Sequence, residues 1–150
     1  MRSHRIALTF AAVMAAFAGA SAQAATEITF WHSMEGALGD RVNGLVEEFN
    51  KKNPDYQVKA VYKGNYGESM NAGIAAFRAG NAPDILQVFE VGTATMMYAK
   101  GAIKPVQQMS EEAGNPIDPK EFIGAVAGYY SSADGKLVSM PFNSSTVVFY

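Results

Sequence analysis

The side chains able to do chemistry in this 150-residue chain gather in four short clusters, each beside an apolar run. They are His32-Ser33-Met34-Glu35-Gly36, Gly64-Asn65-Tyr66-Gly67, Glu90-Val91-Gly92-Thr93 and Asn143-Ser144-Ser145-Thr146. Together they offer carboxylate, hydroxyl, amide and aromatic groups, a set that suits hydrogen bonding to a small polyhydroxylated ligand. Glu90 directly follows the apolar run Ile85-Leu86-Gln87-Val88-Phe89, where a charge needs either a partner or a ligand hydroxyl. Position alone leaves its structural and functional readings open. Trp31 reads as a strand-end core aromatic or as a stacking platform, and Tyr66 as a cover for the core or as a contact.

Catalytic readings find less support. The chain has no cysteine, which removes thiol nucleophiles, disulfides and cysteine-ligated metals. It has no Gly-x-Ser-x-Gly elbow and no glycine-rich phosphate or dinucleotide motif. Ser144 and Ser145 would have to recruit His32 from the far end of the chain. His32 could ligate a metal, yet the other histidine, His4, lies in a segment expected to be removed. No metal, cofactor or catalytic residue is therefore expected. A secreted hydrolase using Glu35 or Glu90 stands as the alternative, although nothing in the spacing fixes the separation a carboxylate pair requires.

The elements that must position these clusters follow from periodicity. Alternating β-branched and aromatic residues predict strands over Glu27–Trp31 and Tyr56–Tyr62, and Ile85–Phe89 predicts a third, buried on both faces. Leu38, Val42, Leu45, Val46 and Phe49 recur at helical spacing, which predicts a helix over Ala37–Lys52 stopped by Asn53-Pro54. Met70, Ile74 and Phe77 predict a second over Glu68–Ala79, closed by Gly80, and a short third is expected over Thr93–Lys100. Such alternation gives an α/β fold, a mainly parallel sheet flanked by helices with right-handed crossovers. Ligands on such sheets sit beyond the carboxyl ends of the strands, where the first three clusters fall. Farther on, Ile103–Val106 reads as extended and Gln107–Ala113 as helical. Asp118-Pro119-Lys120-Glu121 should open a helix that buries Phe122, Ile123 and Val126. Lys136–Phe142 and Val147–Tyr150 read as strands.

Residues 1–24 have another character. Arg2 and Arg5 precede the apolar stretch Ile6–Ala18, and small residues at Ala22 and Ala24 follow, the pattern of a cleavable signal peptide. The stretch is shorter than the roughly 20 residues a membrane span needs. The formal net charge of −2, more negative once two arginines leave, argues against a nucleic-acid partner. The final apolar run stops without a turn, so the chain reads as cut within a larger protein.

Seven blocks then stand in order. They are Phe30-Trp31-His32-Ser33-Met34-Glu35-Gly36, Asn53-Pro54-Asp55-Tyr56, Tyr62-Lys63-Gly64-Asn65-Tyr66 and Gly73-Ile74-Ala75-Ala76-Phe77-Arg78. Gly80-Asn81-Ala82-Pro83, Glu90-Val91-Gly92-Thr93-Ala94-Thr95-Met96-Met97 and Pro141-Phe142-Asn143-Ser144-Ser145-Thr146 complete the series. It resembles the extracellular solute-binding family that includes maltose-binding protein, and the last two blocks are similar to its glycerol-phosphate branch.

The resemblance implies a periplasmic-binding-protein-like lobe of a two-lobe, monomeric receptor in the periplasm. That receptor would close on sn-glycerol-3-phosphate or a glycerophosphodiester and deliver it to the membrane subunits of an ABC importer. An oligosaccharide receptor of the same fold is the alternative within the class. The resemblance assigns ligand contacts to Tyr66, Glu90 and Ser145, with Glu90 accepting from glycerol hydroxyls and the other two donating to phosphate. It places an arginine and further contacts in the later part of such a protein. Residues 25–150 would then be its N-terminal part, cut near the first interlobe crossing, with the second lobe largely absent. Lys63, beside the second cluster, is expected to face solvent.

Overall fold

At the centre of a parallel sheet lies β1 (Thr26–His32), flanked by β2 (Tyr56–Tyr62) and β3 (Ile85–Leu86) in the order β2-β1-β3. This computed structural model describes residues 24–99, 101–145 and 148–149. The expected signal segment therefore falls, all but Ala24, outside the described residues. Thr26 stands opposite Tyr56 and the register continues to His32 opposite Tyr62, while Phe30 and Trp31 face Ile85 and Leu86. Helices α1 (Gly36–Lys52) and α2 (Tyr66–Arg78) form the two connections, so the predicted strand and helix alternation is the one the chain uses.

Side chains complete the sheet where backbone partners run out. On the outer edge of β2, the Asn50 amide donates to the Val58 carbonyl at 2.9 Å and accepts the Val58 N–H at 2.8 Å. One side chain thereby satisfies both polar groups of an edge residue and fastens α1 to the sheet. Val42 is buried on the inner face of α1, but Leu38 and Leu45 are about 60% exposed. Leu45 and Phe49 instead line an open apolar groove of about 140 Å³, shared with Phe30, Val58 and Phe142.

Several elements differ from expectation. β3 is two residues long because only Gln87 continues the pairing, its N–H donating to the Trp31 carbonyl at 2.9 Å. Phe89 then caps α3 (Glu90–Met97), which starts three residues earlier than its periodicity suggested. The Phe89 carbonyl accepts both the Thr93 N–H, at 2.8 Å, and the Thr93 hydroxyl, at 2.9 Å, and so closes the first turn around Glu90. After α4 (Val106–Glu112), the helix expected from Asp118 is divided. Asp118 does accept the Lys120 N–H, but this opens only a 3-10 turn over Pro119–Glu121 that Phe122 ends in extended conformation. α5 (Gly124–Tyr129) begins afresh, leaving Ile123, expected inside, 76% exposed.

The strand expected over Lys136–Phe142 is reduced to one antiparallel bridge between Ser131 and Leu137. Ser131 lies between the end of α5 and a turn over Ser132–Gly135, so no ladder grows from the bridge. Of the last expected strand, Val147 and Tyr150 lie outside the described residues, and Val148 and Phe149 carry no strand.

Candidate functional site

Two helix starts present the first two side chains. Gly64, at φ +82, takes the left-handed turn out of β2, and its missing Cβ leaves room for the Glu68 carboxylate. That carboxylate accepts the Asn65 N–H at 2.9 Å while the Asn65 side chain accepts the Glu68 N–H at 3.0 Å, a reciprocal cap. Tyr66 is consequently fixed as the first residue of α2. Its ring packs on Phe89, with centroids 5.7 Å apart. The same cap closes the positive end of α2 to anions, since it already carries a carboxylate. Glu90 occupies the corresponding place on α3 and is exposed. Tyr66 and Glu90 thus stand on first helical turns rather than in the loops expected from sequence.

The third wall is an extended segment, Asn143–Ser145. Tyr66, Glu90 and Ser145, the three residues singled out in the sequence, line one open cleft of about 330 Å³. Asn143 and Ser144 line it too, and α5 closes the far side with Val126 and Tyr129, joined by Tyr130 at its C-cap. The Tyr129 hydroxyl donates to the Glu90 carbonyl and ties α5 to the start of α3. Tyr129 and Tyr130 meet edge to face at 5.2 Å. These two tyrosines escaped the sequence reading; their only signal was an aromatic pair closing a short helix. Glu90 is the one ionised side chain in the lining among the described residues, and no lysine or arginine joins it there.

Other candidates sit elsewhere. His32 is buried between Phe30 and Tyr62, with Nδ1 accepting the Met34 N–H at 3.3 Å. Burial holds its imidazole below the usual histidine range, which keeps it neutral at pH 7. Glu35 lies outside the cleft lining and accepts the Tyr62 hydroxyl at 3.0 Å. That bond, together with the nearby negative charge of Glu35, raises the Tyr62 phenol above its ordinary value.

Thr93 is buried, its hydroxyl spent on Phe89. Thr146 lies outside the described residues. Lys63, expected in solvent, is half-buried with its ammonium 4.0 Å from the Trp31 ring centroid, because an aromatic face attracts a cation. Trp31 is correspondingly half-buried, with one face covered. Among the described residues no group of three or more His, Asp or Glu side chains could hold a metal.

A family model described as bacterial extracellular solute-binding protein matches residues 44–150. Over 150 residues the chain is 55% identical to the sn-glycerol-3-phosphate-binding periplasmic protein UgpB of Pectobacterium atrosepticum, a match covering 99% of this chain and 34% of that protein. UgpB of Escherichia coli K12 is 60% identical over 131 residues, covering 87% of this chain and 30% of that protein. Among solved structures, CpMnBP1 with mannotriose bound aligns with a TM-score of 0.60 at 26% identity, over 75% of this chain and 27% of that one. The chain spans about a third of the length of the curated relatives it matches.

Proposed function

The chain belongs to the bacterial extracellular solute-binding protein family, and from that membership we propose that it forms part of the periplasmic substrate-binding component of an ABC importer. Its ligand is sn-glycerol-3-phosphate or a glycerophosphodiester, the first being the compound named for its 55–60% identical relatives. The observation that supports this reading is the common cleft of Tyr66, Glu90 and Ser145. A carboxylate on an exposed first turn accepts hydrogen bonds from two neighbouring hydroxyls of a glycerol unit. Phenol and serine hydroxyls donate to phosphate oxygens. These roles need no proton transfer, so the site recognises its ligand and does not transform it.

Charge sets the next requirement. A phosphate monoester brings close to two negative charges, and the described lining adds the carboxylate of Glu90 and no cation. The compensating arginine or lysine belongs to a second lobe, supplied by the remainder of a protein about three times as long. In this reading residues 1–24 are a cleaved export signal, residues 25–150 form most of the first lobe, and the receptor acts as a monomer. An oligosaccharide ligand is the second reading, favoured by the mannotriose bound to CpMnBP1 and by the tyrosine pair at the end of α5.

Thermal unfolding of the complete protein with glycerol-3-phosphate, glycerophosphocholine and mannotriose separates the two, because a ligand of the folded state raises the midpoint by mass action. A shift with the glycerol phosphates alone supports the first reading. A shift with the sugar alone replaces it by the second.

A further inference from the structure

We propose that Gln87 is the positioning residue of this cleft, holding the Asn143–Ser145 segment against the ends of β1 and β3; its effect on ligand affinity rests on the binding role proposed for Ser145. Gln87 is buried, 7% exposed, at the first position beyond β3. Its backbone N–H donates to the Trp31 carbonyl at 2.9 Å, which fixes its own place in the sheet. Its side-chain Oε1 accepts the Ser33 N–H at 3.0 Å, and its Nε2 donates to Asn143 Oδ1 at 3.1 Å. A single amide therefore joins the loop after β1, the end of β3 and the serine-bearing segment.

The segment depends on that amide. Among the described residues, no backbone group of residues 140–145 takes part in a hydrogen bond within the protein. Asn143 makes two side-chain contacts, the one from Gln87 and a weak one from its Nδ2 to the Met34 sulfur at 3.7 Å. The other anchor is apolar, Phe142 meeting Phe30 edge to face at 5.7 Å. An aromatic contact sets depth but tolerates rotation, whereas the Gln87 bond sets direction. Without it, Ser144 and Ser145 would keep their approximate location and lose their aim into the cleft. An apolar residue would serve the core at position 87 as well, so the amide earns its place only through its two partners.

Backbone amide NMR relaxation and calorimetry on the complete protein test this, with glycerol-3-phosphate as the titrated ligand. In Gln87→Leu, the amide order parameters of Ser144 and Ser145 should fall from the rigid range, about 0.85, to below about 0.6, while those of β1 and β2 stay as they were. Asn143→Ala removes only the outer link, spares the Ser33 bond and should lower the order parameters of the same two serines. Affinity should fall about tenfold in each, the worth of one well-placed hydrogen bond, and no further in the double variant. Unchanged order parameters at Ser144 and Ser145, a drop across the whole sheet, or additive losses would overturn the proposal. If Ser145→Ala keeps full affinity while Gln87→Leu still lowers the order parameters of Ser144 and Ser145, the tether stands and the ligand role of Ser145 falls.

Discussion

The Asp84 carboxylate receives both the N–H and the hydroxyl hydrogen of Thr29, each at 2.8 Å, and the Asp84 N–H returns to the Thr29 hydroxyl at 3.1 Å. Thr29 stands in the central strand one residue before its pairing with β3 begins, so the aspartate takes over the ladder where backbone pairing stops. The donation by Thr29 lowers the Asp84 carboxyl below its usual range. A group whose folded pKa is lowered stabilises fully above the unfolded value, about 3.9 for aspartate, and loses that contribution as the pH falls through the lower folded value. Asp84→Ala should cost about 1 kcal/mol at pH 7, solvent exposure keeping it modest. Urea midpoints of parent and variant should differ at pH 7 and converge towards pH 2.

His32 responds to pH in a different window. In a chain beginning at Ala25 it is the sole histidine. Because burial lowers its folded pKa, the unfolded chain takes up a proton first as pH drops. Stability contributed by the neutral ring is complete above about 6.5 and declines below that until the folded value is passed. Unfolding midpoints at pH 7.5 and 5 should show the decline, and His32→Gln should flatten it.

Two glycines of α1 should respond oppositely to alanine. A Cβ on Gly39 would lie 2.9 Å from the Met34 carbonyl oxygen, and backbone cannot step aside. Gly39→Ala should therefore destabilise by about 1–3 kcal/mol. At Gly44 nothing lies within 4 Å of the added carbon. Gly44→Ala should stabilise by about 0.5–1 kcal/mol, the ordinary helix gain. Chemical denaturation of both variants reads the pair.

The Tyr129 hydroxyl gives a fourth test. It bonds the Glu90 carbonyl, not the carboxylate, so it sets where α5 lies and leaves Glu90 free for a ligand. Tyr129→Phe should weaken glycerol-3-phosphate binding by about threefold to tenfold, a loss in the range of one neutral hydrogen bond. Calorimetry checks it.

Local pattern carried the first half of the chain into the fold, because each strand there is followed by a helix with its own stop signal. Gly80 and Asn53-Pro54 mark ends that the structure keeps to within two residues. The start of α3 was hidden because Ile85–Phe89 is one apolar run, and only the Thr93 hydroxyl returning to Phe89 divides it. Leu137, fully buried, reads as part of a strand, but its partner Ser131 is a single residue between α5 and a turn, so pairing stops at one bridge.

The cleft was half legible. Local pattern marked the clusters that hold Tyr66, Glu90 and Ser145, and the family resemblance singled out those three within them. Gln87 was concealed inside an apolar run, and Tyr129 reaches Glu90 across 39 residues of sequence, a distance no local pattern spans.

The central claim is that Glu90 of this cleft recognises the hydroxyls of a glycerol phosphate. Isothermal calorimetry of the complete protein with sn-glycerol-3-phosphate, comparing parent and Glu90→Gln, addresses it most directly. Exchanging a charged acceptor for a neutral amide should weaken binding about tenfold to a hundredfold while the unfolding midpoint without ligand stays unchanged. Equal affinity in the two proteins, or no heat of binding in the parent, would contradict the account.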